Sequence, residues 1–455
     1  MRTPHPTLAT AGSWPYLRTA PQAWLILGGL LALHAIAMFV VLPLLAHHVR
    51  GLYSIEFVDD YDKLAWSLSQ GFGYRFFPDT APTLTREPGY PLFLGSLFYF
   101  FGYSIEVARA ANLLLSGLTV LLLYRLASRL FAARWIAVLV PALFLLHPGV
   151  FVAELRGGVE SLFMVLVVAF TMLLARAAQT DRTRDYVLAG LLLGLTTLVR
   201  STALLFPFFL VGYFFFWPER RPSWMKLGGH LLALFAATLL VVSPWMIRNE
   251  KVAGVPIPTA SVQPVALHAG QYICSHRTFA SKFQQLDLDA ALFRREFAKA
   301  HGLRFKGGYY QYFYDTQDEL AFSRLLSAHV VANYKAQPIL LIQCPLENVF
   351  NFWFTGKTWT STALNAVIQL PFLILAILGM RAALRTGAGR SVGVFVLFIV
   401  YLMLLHIPVL AQARYSVPLV PFLSLFAALP LYGCARGFNR DRSDPNKLAG
   451  AKRAV

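Results

Sequence analysis

The sequence predicts an all-α polytopic membrane protein. It reads as a bundle of about ten transmembrane helices, with interfacial helices in the first outer loop and one larger extracytoplasmic segment. Three observations carry this. Hydrophobic residues make up 57% of the 455 residues and charged residues only 14%, where a soluble domain has about a quarter charged. Apolar runs long enough to cross a bilayer recur along the chain. Arginine and lysine gather in alternate loops between those runs, the asymmetry that orients membrane proteins.

The first run covers 24–45, after a polar stretch that carries Arg2 and Arg18. It is longer than a signal-peptide core and lacks a small-residue cleavage site, so it reads as a retained first helix. Residues 89–102 are apolar but short for a span, and suit a helix lying at the interface. Spans then read as 106–128, 135–150, 159–177, 186–199, 202–217 and 228–247. After a long polar interval come 362–380, 392–410 and 415–434.

Placing the N-terminus inside puts Arg125, Arg129, Arg134, Arg176, Arg182 and Arg184 in cytoplasmic loops. Arg220, Arg221, Lys226, Arg381, Arg385, Arg390 and the basic tail from Arg436 to Arg453 follow on the same side. The short outer loops hold one arginine each, Arg156, Arg200 and Arg414. A further span over 338–354 is rejected, because it would move Arg381 to Arg390 outside. The net charge of +18 is therefore topogenic, and nucleic acid is not an expected partner.

The chain divides into a membrane module over 1–247, an extracytoplasmic segment over 248–360 and C-terminal spans with a basic tail over 361–455. It contains no internal repeat. The module's first outer loop, 46–105, sets the acids Glu56, Asp59, Asp60 and Asp62 beside the membrane, ahead of the turn-rich Arg86-Glu87-Pro88-Gly89. Carboxylates near a low-dielectric boundary are costly to hold and ask for a function; the bland reading is a polar loop facing water. In the 248–360 segment, Thr316 to Glu319 has capping-box form and 289–301 is an amphipathic candidate. Tyr309, Tyr310, Tyr312 and Tyr314 cluster and serve either packing or a sugar face. Cys274 and Cys344 can pair if this segment is extracytoplasmic, or stay as free thiols.

Arg86, Arg156, Arg200, Arg248 and Arg414 map to the outer face, several of them at helix ends. A guanidinium there can reach a phosphate at headgroup level through its planar fork; each alone also fits snorkelling. Glu154 and Glu160 share that face, and Glu160 sits where a helix begins.

The segments DDYDKLAWSLSQGFGY, PTLTREPGYPLFLGSLFYFFG, ESLF, GLLLGLTTLVRSTALLFP, PWMIRNEKVAGVPIP and ARYSVPLVPFL occur in this order. Together they resemble the GT-C class of membrane glycosyltransferases, in the branch of protein O-mannosyltransferases and lipid A aminoarabinose transferases. The resemblance implies a GT-C-like bundle in the cytoplasmic (inner) membrane, with both termini cytoplasmic and the active site extracytoplasmic. It implies a polyprenyl-phosphate-linked sugar as donor, membrane lipid around it, and inverting transfer to the hydroxyl of a glycan, lipid or protein acceptor. An acid of the first outer loop would be the base: Asp59 first, then Asp60, with Glu56 also a candidate. Arg86, Arg200, Arg248 and Arg414 would hold the donor phosphate, and Glu160, Tyr61 and Tyr415 would line the substrate site. Relatives often carry the acid four positions before Tyr61, where this chain has Phe57. Asp60 would orient the loop or cap the next helix, and Asp62 would face outward.

No cofactor is required by this reading. A divalent metal stays open, although His147, His268, His276, His301 and His329 lack ligand spacing. Two other classes compete: a transporter or flippase of lipid-linked sugars, which would favour inverted repeats and broken helices, and a noncatalytic GT-C-like protein.

Overall fold

A backbone in lipid has to satisfy its own hydrogen bonds, so the apolar runs become helices. The structure is a computed structural model that describes residues 21–44, 57, 59–131, 133–217, 222–277, 282–385 and 389–443. No strand is present among these residues beyond one isolated bridge, Phe305 to Phe313. The helices are α1 (Pro21–Ile36), α2 (Tyr61–Ser69), α3 (Gly89–Phe101), α4 (Ile105–Leu130), α5 (Arg134–Leu146), α6 (Pro148–Leu155), α7 (Glu160–Thr180), α8 (Thr183–Val199) and α9 (Phe209–Phe216). Then follow α10 (Trp224–Ala253), α11 (Gln263–His276), α12 (Phe283–Ala300), α13 (Thr316–Ala336), α14 (Leu340–Phe354), α15 (Trp359–Arg385), α16 (Gly389–His406) and α17 (Val420–Ser443).

Six stretches among the described residues are long and apolar enough to cross a bilayer: Pro21–Leu44, Ile105–Leu130, Glu160–Thr180, Trp224–Ala253, Trp359–Arg385 and Ala413–Cys434. The other four expected spans are shorter or broken. The run at 135–150 falls on α5 and α6, which meet at 53°. The break has a local cause. Pro148 cannot continue α5, and His147 Nδ1 accepts the Gly149 N–H at 3.1 Å to start α6. The run at 202–217 opens with the 3₁₀ turns Ser201–Ala203 and Phe206–Phe208 before α9. The run at 186–199 lies on α8, and the run at 392–410 lies on α16 as far as His406, where the helix ends.

Small residues let these helices approach closely. Thr238 of α10 donates to the Gly190 carbonyl of α8 at 3.0 Å, and a side chain on Gly190 would strike the Leu234 backbone. Gly379 of α15 lies against the Phe426 carbonyl of α17 in the same way.

Helices α11 to α14 form the polar segment. Val265, Ala298, Phe313, Phe322 and Leu326 make a small core of its own, and Cys274 of α11 is disulfide-bonded to Cys344 of α14. The helix expected from Thr316 forms, but its cap is Asp315, which accepts the Gln317 N–H at 2.8 Å. The expected capping box fails because Glu319 is used elsewhere. It accepts from Thr83 Oγ1 (2.8 Å), Leu84 N (3.0 Å), Thr85 Oγ1 (3.2 Å) and Ser261 Oγ (2.6 Å). Buried Glu319 thereby ties the loop at 83–85 to the polar segment.

Candidate active site

Asp59 and Asp60 both adopt left-handed backbone angles, φ 65° and 57°. Such angles are uncommon outside glycine, and aspartate is among the residues that tolerate them. The sharp turn before α2 sends the two carboxylates to different partners. Asp60 meets Lys63 Nζ at 2.6 Å and the Tyr312 hydroxyl at 2.7 Å. Its side chain makes no capping bond to α2.

Asp59 turns into an arginine cluster. Arg414 Nη2 donates to Asp59 Oδ2, while Arg414 Nε donates to Glu160 Oε1 at 2.6 Å. Glu160 opens α7 and is 1% exposed. On the other side, Arg86 Nη2 donates to the Asp59 carbonyl at 3.2 Å and lies 3.6 Å from Oδ1. The Tyr310 hydroxyl bonds Arg86 and lies 3.4 Å from Asp59 Oδ1. Burial alone would raise the Asp59 carboxyl; Arg414, Arg86 and Arg200 outweigh it and hold the group well below the ordinary carboxylate range.

Arg200 follows α8, with its guanidinium 5.3 Å from the Tyr415 ring and 5.9 Å from Phe163. Its Nη1 is buried without a hydrogen-bond partner. Tyr415 also packs on His406 at 5.3 Å. Tyr61 is buried against Tyr90 at 5.5 Å, with the Arg86 guanidinium 4.9 Å above its ring.

Three of the four expected arginines therefore share one centre with Asp59, Glu160, Tyr61 and Tyr415. Arg248 has a different place. It donates to the carbonyls of Thr83 (2.8 Å) and Tyr74 (3.4 Å) and packs over Trp245 at 4.8 Å. Arg248 and Glu319 thus brace the strip that delivers Arg86. Glu56 lies outside the described residues. Phe57 packs against Phe98 (6.1 Å) and Tyr103 (5.8 Å). Asp62 is a correction: instead of facing outward it is 7% exposed and accepts the Tyr103 hydroxyl at 2.8 Å. The expectation failed because α3 and the turn after it cover that face of α2.

Tyr310 and Tyr312, from the tyrosine cluster for which packing and a sugar face were both open, reach the site from the polar segment. Gly307 and Gly308 turn the chain between Phe305 and Phe313, so that Tyr310 and Tyr312 reach Asp59 and Asp60. Among the described residues no group of three or more His, Cys, Asp or Glu is placed to hold a metal ion. What the site offers is an ionised carboxylate among guanidinium groups, two of which have an N–H without a hydrogen-bond partner, Arg86 at Nε and Arg200 at Nη1. Nearby α3 ends in the exposed rings of Tyr99, Phe100 and Phe101.

The helical bundle has a GT-C-like fold, by its similarity to the solved structures that follow. The archaeal oligosaccharyltransferase AglB from Archaeoglobus fulgidus, solved with an inhibitory peptide and a dolichol-phosphate, matches with TM-score 0.54 and 14% identity. A second structure of the Archaeoglobus fulgidus oligosaccharyltransferase, tethered to an acceptor peptide, matches with TM-score 0.52 and 14% identity over 94% of this chain and 52% of that one. The AglB match covers 95% of this chain and 52% of the other, so the present chain spans about half the length of these structures. ArnT from Cupriavidus metallidurans, bound to undecaprenyl phosphate, matches with TM-score 0.42 and 13% identity over 90% of this chain and 78% of that one. Within the chain, residues 83–247 match the family model described as dolichyl-phosphate-mannose-protein mannosyltransferase. No curated protein gives a significant sequence match.

Proposed function

We propose that the chain is an inverting glycosyltransferase that moves one sugar from a polyprenyl-phosphate donor to an acceptor hydroxyl. The observation that carries this reading is the Asp59 carboxylate held among Arg414, Arg86 and Arg200. Asp59 takes the proton of the acceptor hydroxyl as its oxygen attacks the anomeric carbon from the face opposite the phosphate. The bond from that carbon to the phosphate oxygen breaks, and the electron pair leaves with the polyprenyl phosphate. The arginines stabilise the charge that accumulates there. Arg200 Nη1 and Arg86 Nε have no hydrogen-bond partner and are offered to the phosphate. The family match over 83–247 and the dolichol-phosphate in the AglB structure support the donor class.

The polar segment and the site face the outside of the cytoplasmic membrane, with both termini inside. The disulfide from Cys274 to Cys344 supports this side, since such bonds persist in oxidising compartments. The basic loops support it as well. The test is transfer of label from a polyprenyl-phosphate-linked sugar in proteoliposomes of the purified chain. Donor binding without any transfer, or movement of intact donor across the bilayer, would overturn the reading.

A further inference from the structure

Arg294 of α12 is wholly buried, yet its Nε, Nη1 and Nη2 all lack a hydrogen-bond partner. A guanidinium is always charged in proteins, and a buried charge left unpaired is strongly destabilising. The Tyr309 ring lies 4.7 Å from its Cζ, a contact that satisfies none of the N–H groups. Asp287 stands two turns earlier on α12, but its Oδ1 takes the Tyr309 hydroxyl at 2.8 Å. On the facing helix α11, His268 is 2% exposed and its Nδ1 is unpartnered too. Burial and the Arg294 charge push its imidazole down to about 3, so the ring is neutral. Four buried polar atoms thus stand unsatisfied on two adjoining helices, and three belong to one cation.

Water could satisfy the N–H groups, and the Asp287 carboxylate acts on the Arg294 charge from a distance, but neither supplies the guanidinium with a hydrogen-bonded counter-ion. The complement is an oxyanion, planar or tetrahedral, that accepts from the guanidinium fork. The place is next to the chemistry. Tyr309 packs edge-to-face on Tyr310 at 4.8 Å, and Tyr310 touches Asp59 and Arg86. We propose that Arg294 and His268 form a second anion subsite, which takes a carboxylate or phosphate group carried by the acceptor. The word acceptor rests on the transferase reading above; the anion subsite itself does not.

The test titrates the full chain in detergent with inorganic phosphate and with acetate, following the melting temperature of wild type and Arg294→Met. The expected result is stabilisation of wild type, with the concentration needed rising at least about tenfold in Arg294→Met. The anion that acts tells a phosphate-bearing from a carboxylate-bearing acceptor. Identical titrations of the two proteins, or stabilisation by neither anion, overturn the subsite. Polyprenyl phosphate titrated in parallel is expected to bind both proteins equally. Its failure to bind either counts against the transferase reading and leaves the Arg294 comparison intact. A loss in Arg294→Met confined to polyprenyl phosphate places Arg294 in the donor site and overturns the proposal. Should Arg294→Met not fold, Arg294→Lys keeps the charge, loses the fork, and is expected to bind phosphate several-fold more weakly.

Discussion

Asp59 and Glu160 share a single guanidinium: Arg414 turns Nη2 to the first and Nε to the second. Three distant parts of the chain meet at that group. A lysine has one nitrogen and no fork, so it cannot hold both carboxylates in the same geometry. Arg414→Lys is expected to lower transfer at least about tenfold, the worth of one charge-assisted hydrogen bond. Arg248→Lys is expected to lower the melting temperature, with transfer per folded molecule falling far less. Label transfer normalised to folded protein checks both.

Asp59→Asn removes the proposed base but keeps a side chain that tolerates left-handed angles. Transfer is expected to fall about a hundred- to ten-thousand-fold while polyprenyl-phosphate binding changes little. Asp60→Asn, which weakens the pairing to Lys63 and Tyr312, is expected to do less. Full transfer by Asp59→Asn would rule Asp59 out as the base.

The pH response follows from the lowered Asp59 pKa. A carboxyl depressed on folding adds stability that is in full above its unfolded value of about 3.9 and is lost as pH falls toward its folded value. In the resting protein the Asp59 carboxylate therefore stays ionised throughout the mildly acidic range. Transfer measured at low donor concentration is expected to show no Asp59 ionisation down to about pH 5. Arg414→Met, which removes the largest opposing charge, is expected to bring an acid limb into view.

Reducing Cys274–Cys344, or substituting Cys344→Ser, releases a loop of sequence separation 70 between α11 and α14. The expected cost is about 2–4 kcal/mol, seen as a lower melting temperature under reductant. No change would show that the bond adds nothing to the fold.

Sidedness is checked with reporters. One fused after Val455 is expected to read cytoplasmic, and one inserted near Lys306 extracytoplasmic. Agreement between the two would break the proposed topology.

The sequence showed the helices well because lipid leaves the backbone few alternatives. Its run at 106–128 falls inside α4, and its run at 159–177 begins at the residue that precedes α7 and otherwise lies within it. It also singled out Asp59, Arg86, Arg200 and Arg414, because charges beside apolar runs are scarce enough to notice. It did not show that Tyr310 and Tyr312 close the site, although the Gly307-Gly308 turn between aromatic residues was a readable signal. Nor did it separate Arg248 from the other arginines. Those facts depend on contacts across more than a hundred residues, such as Thr83 with Glu319, which no local pattern encodes.

The Glu319 anchorage bears on how such a chain can be cut and recombined. A piece ending at Ile247 would hold the family-matching region with Arg86 and Arg200, but would lack Glu319, Tyr310 and Arg414. Exchanging the polar segment between homologous chains would therefore exchange part of the arginine–carboxylate cluster as well. Chimeras that keep Tyr310 and Glu319 paired with their own 59–86 loop are the ones with a chance to turn over.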